Sequence, residues 1–332
     1  MLQRVQVMML AAGLGTRLHP LTADRGKPAV PFLGRPLVRG MLDWLIGHGA
    51  ERIAVNTHHR PESIQAALAD APGGIELRFS HEPEILGTAG CLARALELGH
   101  LLPDRTTLVV NAKLVTGLDL SAALAAHRAA EAQVTMILRP NHAREAFTTV
   151  RMDGDRVRGF GPSRVPEGDA PLLFTGVHFL EPAVLSRAEP VFSDTVKDLY
   201  PPEIAARTVL GVVDEAPWAE FSTLDRYLDL QLEALGATSH VDPSARVSPD
   251  ASVVRSVVGP GAVIEAGASL VDAVLWEEAR VGAGAQMSRA VLGARAELAP
   301  GEVLERAVAV RPELAPQLEI TGGLASVGLG AA

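Results

Sequence analysis

Cysteine is nearly absent from this chain, since Cys91 is the only one among 332 residues. One cysteine excludes an internal disulfide and a zinc site built from cysteines. A long apolar run is also missing near the start: the run at residues 7–12 is too short for a membrane-spanning helix and leads directly into glycines, so we expect no signal peptide. A cytoplasmic protein that does not enter a membrane is therefore predicted.

Positive charge is scarce as well. The 30 lysines and arginines are outnumbered by 39 aspartates and glutamates, which gives a net charge of −9 at pH 7. This balance disfavours nucleic acid or an anionic membrane as a general partner, so any phosphate must be bound by a few local cations. Apolar residues, by contrast, make up 48% of the chain, which is enough for a sizeable core, and the length suggests two domains.

The stretch from Val7 to Pro31 contains the strongest local signal. Its first six residues are apolar, as in a strand buried on both faces of a parallel sheet. Gly13 and Gly15 follow, and glycines allow positive φ and a close approach of a ligand to the backbone. Arg17 and Lys27 add two cations that suit phosphate oxygens. These residues indicate a site for a nucleoside triphosphate, although a plain strand and turn with two surface cations remains open on this spacing alone.

Strand and helix patterns alternate through the next part of the chain. Helical patterns cover residues 36–48, 62–69, 88–98 and 120–130, with strand patterns between them. Because this alternation is typical of βαβ units, it predicts an α/β fold with a doubly wound, mostly parallel sheet. Residues 148–180 change to short strands broken by glycine and proline, which we interpret as a smaller lobe.

A repeat begins at residue 241. Large apolar residues recur at intervals of six, six and five, four times over, so the period is 17 residues. A small or branched residue follows four positions after each large one, except at Glu302. This pattern predicts a parallel β-helix of four coils with both sets of residues pointing inward. The large residues are Val241, Val247, Val253, Val258, Ile264, Leu270, Leu275, Val281, Met287, Leu292, Leu298 and Leu304.

We accordingly divide the chain into three parts. Residues 1–237 form the α/β domain, residues 238–311 form the β-helix, and residues 312–332 form a tail whose glycine-rich end is expected to be mobile.

Several of these motifs resemble those of the sugar-1-phosphate nucleotidyltransferases, and the bacterial mannose-1-phosphate guanylyltransferase-like proteins in particular. The motifs are GLGTRLHPLT with GKP in the glycine loop, LGTAG at 86–90, VVN at 109–111 and FTGV at 174–177. The resemblance extends over nearly the whole chain. It implies a Rossmann-like nucleotidyltransferase domain followed by a left-handed β-helix. It also implies transfer of a nucleoside monophosphate from an NTP, with GTP as the first guess, to a sugar 1-phosphate. A second copy or a paralogous chain would bind through the β-helix.

The resemblance also assigns roles to residues. It implies catalytic roles for Arg17 and Lys27, and a sugar contact at Gly176, where the missing side chain leaves room for a ring. The nucleotide contacts that it implies are Leu10, Ala12, Gly13, Leu14, Gly15, Thr16, Leu86, Gly87, Thr88 and Asn111.

The metal site departs from the family pattern. The family places an Mg²⁺-binding Asp two residues after an Asn, but here the sequence is Asn111-Ala112-Lys113. An ammonium group has no acceptor and cannot ligate a metal. Glu220 stands near the position of the second metal-binding Asp, so Mg²⁺ has only this carboxylate. We predict that Lys113 takes the metal's place and pairs with Glu220.

Three functions are compatible with the sequence. One is a working sugar-1-phosphate nucleotidyltransferase, and the second is a degenerate relative that binds a nucleotide or nucleotide sugar and regulates a partner. The third is an acyltransferase that acts through the β-helix, but no histidine follows His240 to serve as its base. Family resemblance favours the transferase, and the loss of the metal-binding Asp favours the regulatory relative.

Overall fold

A computed structural model describes residue 2, residues 4–161 and residues 169–330. It contains two compact units. The first unit comprises Met1–Gly13 and Val38–Ala219, and the second comprises Leu14–Leu37 and Glu220–Ala332. The domain boundaries at 237 and 311 follow the repeat in the sequence and stay predictions.

The helices and strands follow closely the order that the sequence patterns predict. The α-helices are α1 (Leu37–Gly47), α2 (Pro61–Ala67), α3 (Gly87–Glu97), α4 (Leu120–Ala129), α5 (Pro182–Leu185), α6 (Pro201–Ala205) and α7 (Leu224–Leu235). The first strands are β1 (Gln6–Leu10), β2 (Pro31–Phe32), β3 (Arg35–Pro36), β4 (Arg52–Thr57), β5 (Glu76–His81), β6 (Thr107–Asn111), β7 (Leu114–Thr116), β8 (Val134–Pro140), β9 (Thr149–Asp153), β10 (Arg156–Phe160), β11 (Leu172–Leu180), β12 (Val209–Val213) and β13 (Trp218–Glu220).

A nine-stranded sheet forms the centre of the first unit, in the order β5-β4-β1-β6-β11-β8-β12-β10-β9. Strands β5, β4, β1 and β6 are parallel neighbours, and β8 is parallel to β12. The chain runs outward from β1 to β5 and then returns to the other side of β1 with β6. Such a reversal of strand order opens a crevice at the carboxyl ends of the strands, where α/β proteins bind ligands.

The prediction of a separate smaller lobe at residues 148–180 is wrong. Strands β9, β10 and β11 join the main sheet, and β11 lies between β6 and β8 with antiparallel pairing to both. The physical reason is the apolar character of β11, whose second half is buried without interruption, as expected of a central strand. Residues 162–168 of the predicted lobe lie outside the described residues.

Four coils of parallel strands form most of the second unit. Three sheets make the faces, and residues 17 positions apart are paired throughout, as in His240 with Val257 and Val257 with Val274. The predicted period and number of coils are therefore confirmed. The strands are β14 (His240–Val241), β15 (Arg246–Val247), β16 (Ser252–Val254), β17 (Val257–Val258), β18 (Val263–Ile264), β19 (Ser269–Val271), β20 (Val274–Leu275), β21 (Arg280–Val281), β22 (Gln286–Ser288), β23 (Val291–Leu292), β24 (Glu297–Leu298), β25 (Val303–Glu305), β26 (Ala307–Val310), β27 (Glu319–Thr321) and β28 (Leu324–Gly328).

The large apolar residues of the last three coils are buried, from Val258 at 0% exposure to Leu304 at 8%. In the first coil Val241 and Val247 are 43% and 37% exposed, because no coil precedes them. The prediction is wrong for one set of small or branched residues, those four positions after Val253, Leu270, Met287 and Leu304. Because successive strand residues face opposite sides, the core members before Leu275 and Leu292 are Ala273 and Ala290. The valines predicted to point inward there are not members of this core, although they are buried at 0–1% exposure: Val257, Val274, Val291 and Val308.

The prediction that residues 312–332 form a mobile tail is also wrong. Strands β27 and β28 form an antiparallel hairpin, and β28 pairs with β26. Leu324 of this hairpin belongs to the β-helix core and is 4% exposed. Alternating apolar residues around Gly322-Gly323 are typical of a hairpin, and the pairing covers a sheet edge that would otherwise be open.

No helix within the described residues is long and apolar enough to cross a membrane.

Candidate functional site

The carboxyl ends of β1, β4 and β6 bring several predicted nucleotide contacts together in the first unit. Leu10 is the register partner of both Asn56 and Asn111, and Ala112 donates its N–H to the Leu10 carbonyl at 3.0 Å. Ala12 and Gly13 lie two and three residues after the end of β1. The structure thus places Leu10, Ala12, Gly13 and Asn111 at one edge of the sheet, where a parallel arrangement gathers ligand-binding loops.

A buried carboxylate links this edge to the loop before α3, and the sequence motifs did not reveal it. Asn56 Oδ1 accepts a hydrogen bond from the Ala11 N–H at 2.7 Å, and Asn56 Nδ2 donates to Glu82 Oε1 at 2.7 Å. The second oxygen of Glu82 accepts from the Leu86 N–H at 2.9 Å. Two predicted nucleotide segments, the end of β1 and the loop at Leu86, are therefore joined by Asn56 and Glu82.

Burial raises the pKa of the Glu82 carboxyl group, although the hydrogen bonds from Leu86 and Asn56 favour its charged form and oppose this effect. Glu82 has no exposed surface, whereas Glu84 two residues later is exposed. His58 is half-buried, and its Nδ1 lies 2.8 Å from the Glu82 carbonyl oxygen. Hydrogen bonds therefore hold the loops together at this edge of the sheet.

Thr88 lies at the start of α3, where its hydroxyl bonds within the protein. The helix is preceded by Leu86, which makes no side-chain cap, so Thr88 is in the first turn and is not the N-cap. Its hydroxyl donates to Asp194 Oδ2 at 3.2 Å and accepts from the Thr195 N–H at 2.8 Å. The Thr88 hydroxyl is thus engaged within the protein, and contacts from Leu86, Gly87 and Thr88 to a nucleotide stay predictions.

Gly176 lies beside Asn111. Its φ of +78° is rarely adopted by other residues, and a Cβ at this position would overlap the Asn111 amide. The pairing of β11 with β8 shifts register between Phe174 and His178, around this glycine. Glycine is therefore required here to accommodate Asn111, and the sugar contact predicted for Gly176 is an additional role that stays a prediction.

The residues present do not form a usual Mg²⁺ site. Lys113 lies between β6 and β7 and supplies donors only. Among the residues that the structure describes, no group of three or more His, Cys, Asp or Glu side chains is placed to hold a metal ion. Mg²⁺ prefers carboxylate and phosphate oxygens, so Lys113 removes one of the ligands that the family resemblance implies.

In the second unit, Arg17 and Lys27 occupy different environments. Arg17 lies in a 3₁₀ turn, Thr16–Leu18, and is exposed. Lys27 begins another 3₁₀ turn, Lys27–Ala29, and is 8% exposed. Of the two glycines expected to use positive φ, only Gly15 does so, with φ +70°. Glu220, at the end of β13, is also in this unit.

Comparison with known protein families shows which family the chain belongs to. A family model described as Nucleotidyl transferase matches residues 6–235, well over half of the chain. The chain belongs to this family. A second model, described as GlmU-like, C-terminal hexapeptide, matches residues 233–306, which include the four coils. The family resemblance inferred from the motifs is therefore confirmed.

Curated relatives of this nucleotidyl transferase chain share just under a third of its residues in the aligned part. Mannose-1-phosphate guanylyltransferase of Mycobacterium tuberculosis (strain ATCC 25618 / H37Rv) is 29% identical over 230 residues, which are 68% of this chain and 63% of the relative. UTP–glucose-1-phosphate uridylyltransferase of Synechocystis sp. (strain ATCC 27184 / PCC 6803 / Kazusa) is 30% identical over 195 residues, 54% of this chain and 50% of the relative. The catalytic subunit beta of mannose-1-phosphate guanylyltransferase of Drosophila pseudoobscura pseudoobscura is 28% identical over 199 residues, 59% of this chain and 53% of the relative. The chain thus matches between half and two thirds of the length of these relatives.

Proposed function

We propose that this protein transfers a nucleoside monophosphate from an NTP to a sugar 1-phosphate and releases pyrophosphate. The match of residues 6–235 to the Nucleotidyl transferase family carries the proposal, and the relatives named above act on mannose 1-phosphate or glucose 1-phosphate. GTP is the first candidate because two of the three relatives are guanylyltransferases. Left-handed coiling of the β-helix, assembly through it with a second copy or a paralogous chain, and a cytoplasmic location belong to the same proposal.

The reaction asks the protein to position groups and to neutralise charge. An oxygen of the sugar phosphate forms a bond to the α-phosphorus, the bond from that phosphorus to the bridging oxygen breaks, and pyrophosphate leaves with the electron pair. We assign the nucleotide to residues 12–16, with Leu10 and Asn111, and its base to Leu86, Gly87 and Thr88. Arg17 binds the departing phosphates and Lys27 lies near the reacting ones, because fixed cations stabilise charge that develops in the transition state. Gly176 contacts the sugar.

Lys113 supports the second candidate, a regulatory relative that binds nucleotide without turnover. The comparisons favour the transferase, since the family match and the named relatives are of enzymes. Within the transferase proposal, the Lys113 ammonium supplies part of the charge that a metal supplies elsewhere. One positive charge in place of two predicts slow turnover.

A substrate screen tests the proposed function. GTP, UTP, dTTP, ATP and CTP are each combined with mannose 1-phosphate and glucose 1-phosphate, and released pyrophosphate is measured. We expect turnover with GTP and mannose 1-phosphate. Nucleotide binding without pyrophosphate release in any pair would support the regulatory relative instead.

A variant of Arg17 tests the phosphate contact. Arg17→Ala should weaken nucleotide binding by about 1.5–3 kcal/mol, the usual value of a charge-assisted hydrogen bond. Arg35→Ala is the matched control, because Arg35 is an exposed arginine of the same segment.

A further inference from the structure

The segment that carries Arg17 and Lys27 belongs to the same compact unit as the β-helix. Residues Leu14–Leu37 group with residues from Glu220 onward. This placement is unexpected from the sequence, in which the segment directly follows β1. It raises the question of which contacts hold the segment, and the described contacts involve the third coil of the β-helix and α7.

The first contact is made by Arg25, two residues before Lys27. Its Nη2 lies 2.6 Å from Glu277 Oε1 and its Nε lies 3.0 Å from Asp24 Oδ1. The guanidinium also lies over the ring of Trp276, 4.6 Å from its centroid. Burial alone would lower the pKa of Arg25, but the bonds to Asp24 and Glu277 outweigh it and raise the pKa above its ordinary value. The Arg25 side chain is thus a fixed cation with 16% exposure, tied to Trp276 and Glu277 of one coil.

The second contact is made by Pro31, four residues after Lys27. Its carbonyl oxygen accepts hydrogen bonds from the Tyr227 hydroxyl at 2.7 Å and from Gln231 Nε2 at 2.9 Å. Trp276 Nε1 in turn donates to the Tyr227 hydroxyl at 2.8 Å. Trp276 therefore supports both ends of the stretch that contains Lys27: it lies under Arg25 and it orients the tyrosine that holds Pro31.

Lys27 itself is packed against the glycine loop within this unit. Thr22 Oγ1 donates to the Gly15 carbonyl at 3.1 Å, and a Cβ at Gly15 would lie 3.0 Å from both Lys27 Cβ and Thr22 Cγ2. A shift of the Arg25–Pro31 stretch would consequently move Lys27 relative to the glycine loop. Displacement of a group at reacting atoms by about 1 Å can cost on the order of 10²-fold in rate.

We propose that Trp276 and Glu277 in the third coil are positioning residues for Lys27, so that the β-helix sets the rate of the reaction. The inference rests on the proposed function, in which Lys27 lies near the reacting phosphates. Neither residue has to touch the substrate. Their effect passes through Arg25 and through Tyr227 with Pro31.

The test compares Glu277→Ala with Glu278→Ala in the full-length protein. Glu278 is the adjacent residue in the same coil and bonds Arg295 at the surface, where both side chains are about 60% exposed, so it is a matched control. We expect Glu277→Ala to lower kcat roughly tenfold with little change in the KM of the NTP, as for a misplaced group at the reacting centre. Glu277→Gln keeps an acceptor for Arg25 and should recover part of the loss. Trp276→Phe keeps the ring but removes the N–H to Tyr227, and it serves as a second variant if Glu277→Ala does not fold.

A readout independent of turnover separates this inference from the proposed function. The chain has only three lysines, Lys27, Lys113 and Lys197, so acylation by an amine-reactive ester followed by mass spectrometry reports each one. Relative to the exposed Lys197, labelling of the nearly buried Lys27 should rise several-fold in Glu277→Ala and stay unchanged in Glu278→Ala. If wild-type protein shows no turnover but the labelling differs as expected, the third coil still fixes Lys27 while the proposed function, and with it the effect on rate, fails. Active wild-type protein with equal kcat and equal Lys27 labelling in both variants would overturn the inference.

Discussion

Lys113 is the residue whose chemistry differs most from the family pattern. An ammonium neutralises one negative charge and imposes no octahedral geometry, so nucleotide binding should need Mg²⁺ less than in a site with two carboxylates. We expect the nucleotide affinity of the wild-type protein to change by less than about threefold on addition of a chelator, well below the tenfold that 1.4 kcal/mol represents. Calorimetry with and without the chelator measures this directly.

Two variants of Lys113 separate loss of charge from gain of a ligand. Lys113→Asp should make binding and turnover depend on Mg²⁺, whereas Lys113→Ala should weaken binding without creating that dependence. Strict Mg²⁺ dependence of the unmodified protein would show that Lys113 does not stand in for the metal.

Glu82 and Glu84 show what a sequence pattern cannot resolve at a single residue. Both lie in the same polar loop, yet only Glu82 is buried and accepts hydrogen bonds from Asn56 and Leu86. Glu82→Ala should destabilise the protein by about 1–3 kcal/mol for each buried donor that is left unpaired, and it should weaken nucleotide binding by freeing the loop before α3. Urea unfolding and calorimetry test both effects, with Glu84→Ala as the control. Equal behaviour of the two variants would contradict the anchoring role of Glu82.

Among the elements, those with strong periodicity were predictable and those fixed by long-range pairing were not. Helices α1 and α4 lie within one residue of the expected ranges 36–48 and 120–130, because their apolar spacing is local information. The place of β11 in the sheet depends on which distant strands it meets. In the same way, the Asn56–Glu82 link joins residues 26 positions apart, and no local motif encodes it.

The corners of the β-helix show a second limit of local reasoning. Arg255, Asp272, Arg289 and Arg306 occupy equivalent corners of successive coils, all with φ between +43° and +55°, where glycine would be expected. Three of these corner side chains form ion pairs. Asp272 accepts hydrogen bonds from Arg255 through both carboxylate oxygens, and Arg289 donates to Asp229 of α7 at 2.9 Å. The Arg255–Asp272 pair therefore links two neighbouring coils at this corner.

The Arg255–Asp272 pair makes the stability of the protein depend on pH. The hydrogen bond from Arg255 holds the pKa of Asp272 below its ordinary value of 3.8, so the stabilisation is complete above that value and is lost as pH falls through the lowered pKa. Asp272→Asn should therefore cost up to about 1 kcal/mol at pH 7, a typical upper value for a partly exposed pair, and less at pH 2. Urea midpoints at both pH values measure the difference. Glu278→Gln, in a more exposed pair, should change less, and a pH-independent cost of Asp272→Asn would refute this account.

At the scale of the whole molecule, the 17-residue period predicts the β-helix but not how it ends. A repeat reports only contacts between neighbouring coils, and the hairpin of β27 and β28 interrupts the repeat to close one sheet. That is why residues 312–332 resembled a tail, although Leu324 is part of the core. The first coil, in contrast, leaves Val241 and Val247 partly exposed, so the two ends of the β-helix are finished differently.

Removal of residues 312–332 should therefore destabilise the protein and make it associate. It strips the pairing from β26 and removes Leu324, and loss of one buried leucine side chain alone costs about 2–5 kcal/mol. An open parallel-sheet edge also offers its N–H and C=O groups to another chain. We expect a lower unfolding temperature and concentration-dependent particles in light scattering. Leu324→Ala, which keeps the hairpin, should show the loss of stability without the association, while Ile320→Ser at the 54% exposed Ile320 should show neither. A truncated protein as stable and as dispersed as the full chain would mean that β27 and β28 do not close the β-helix.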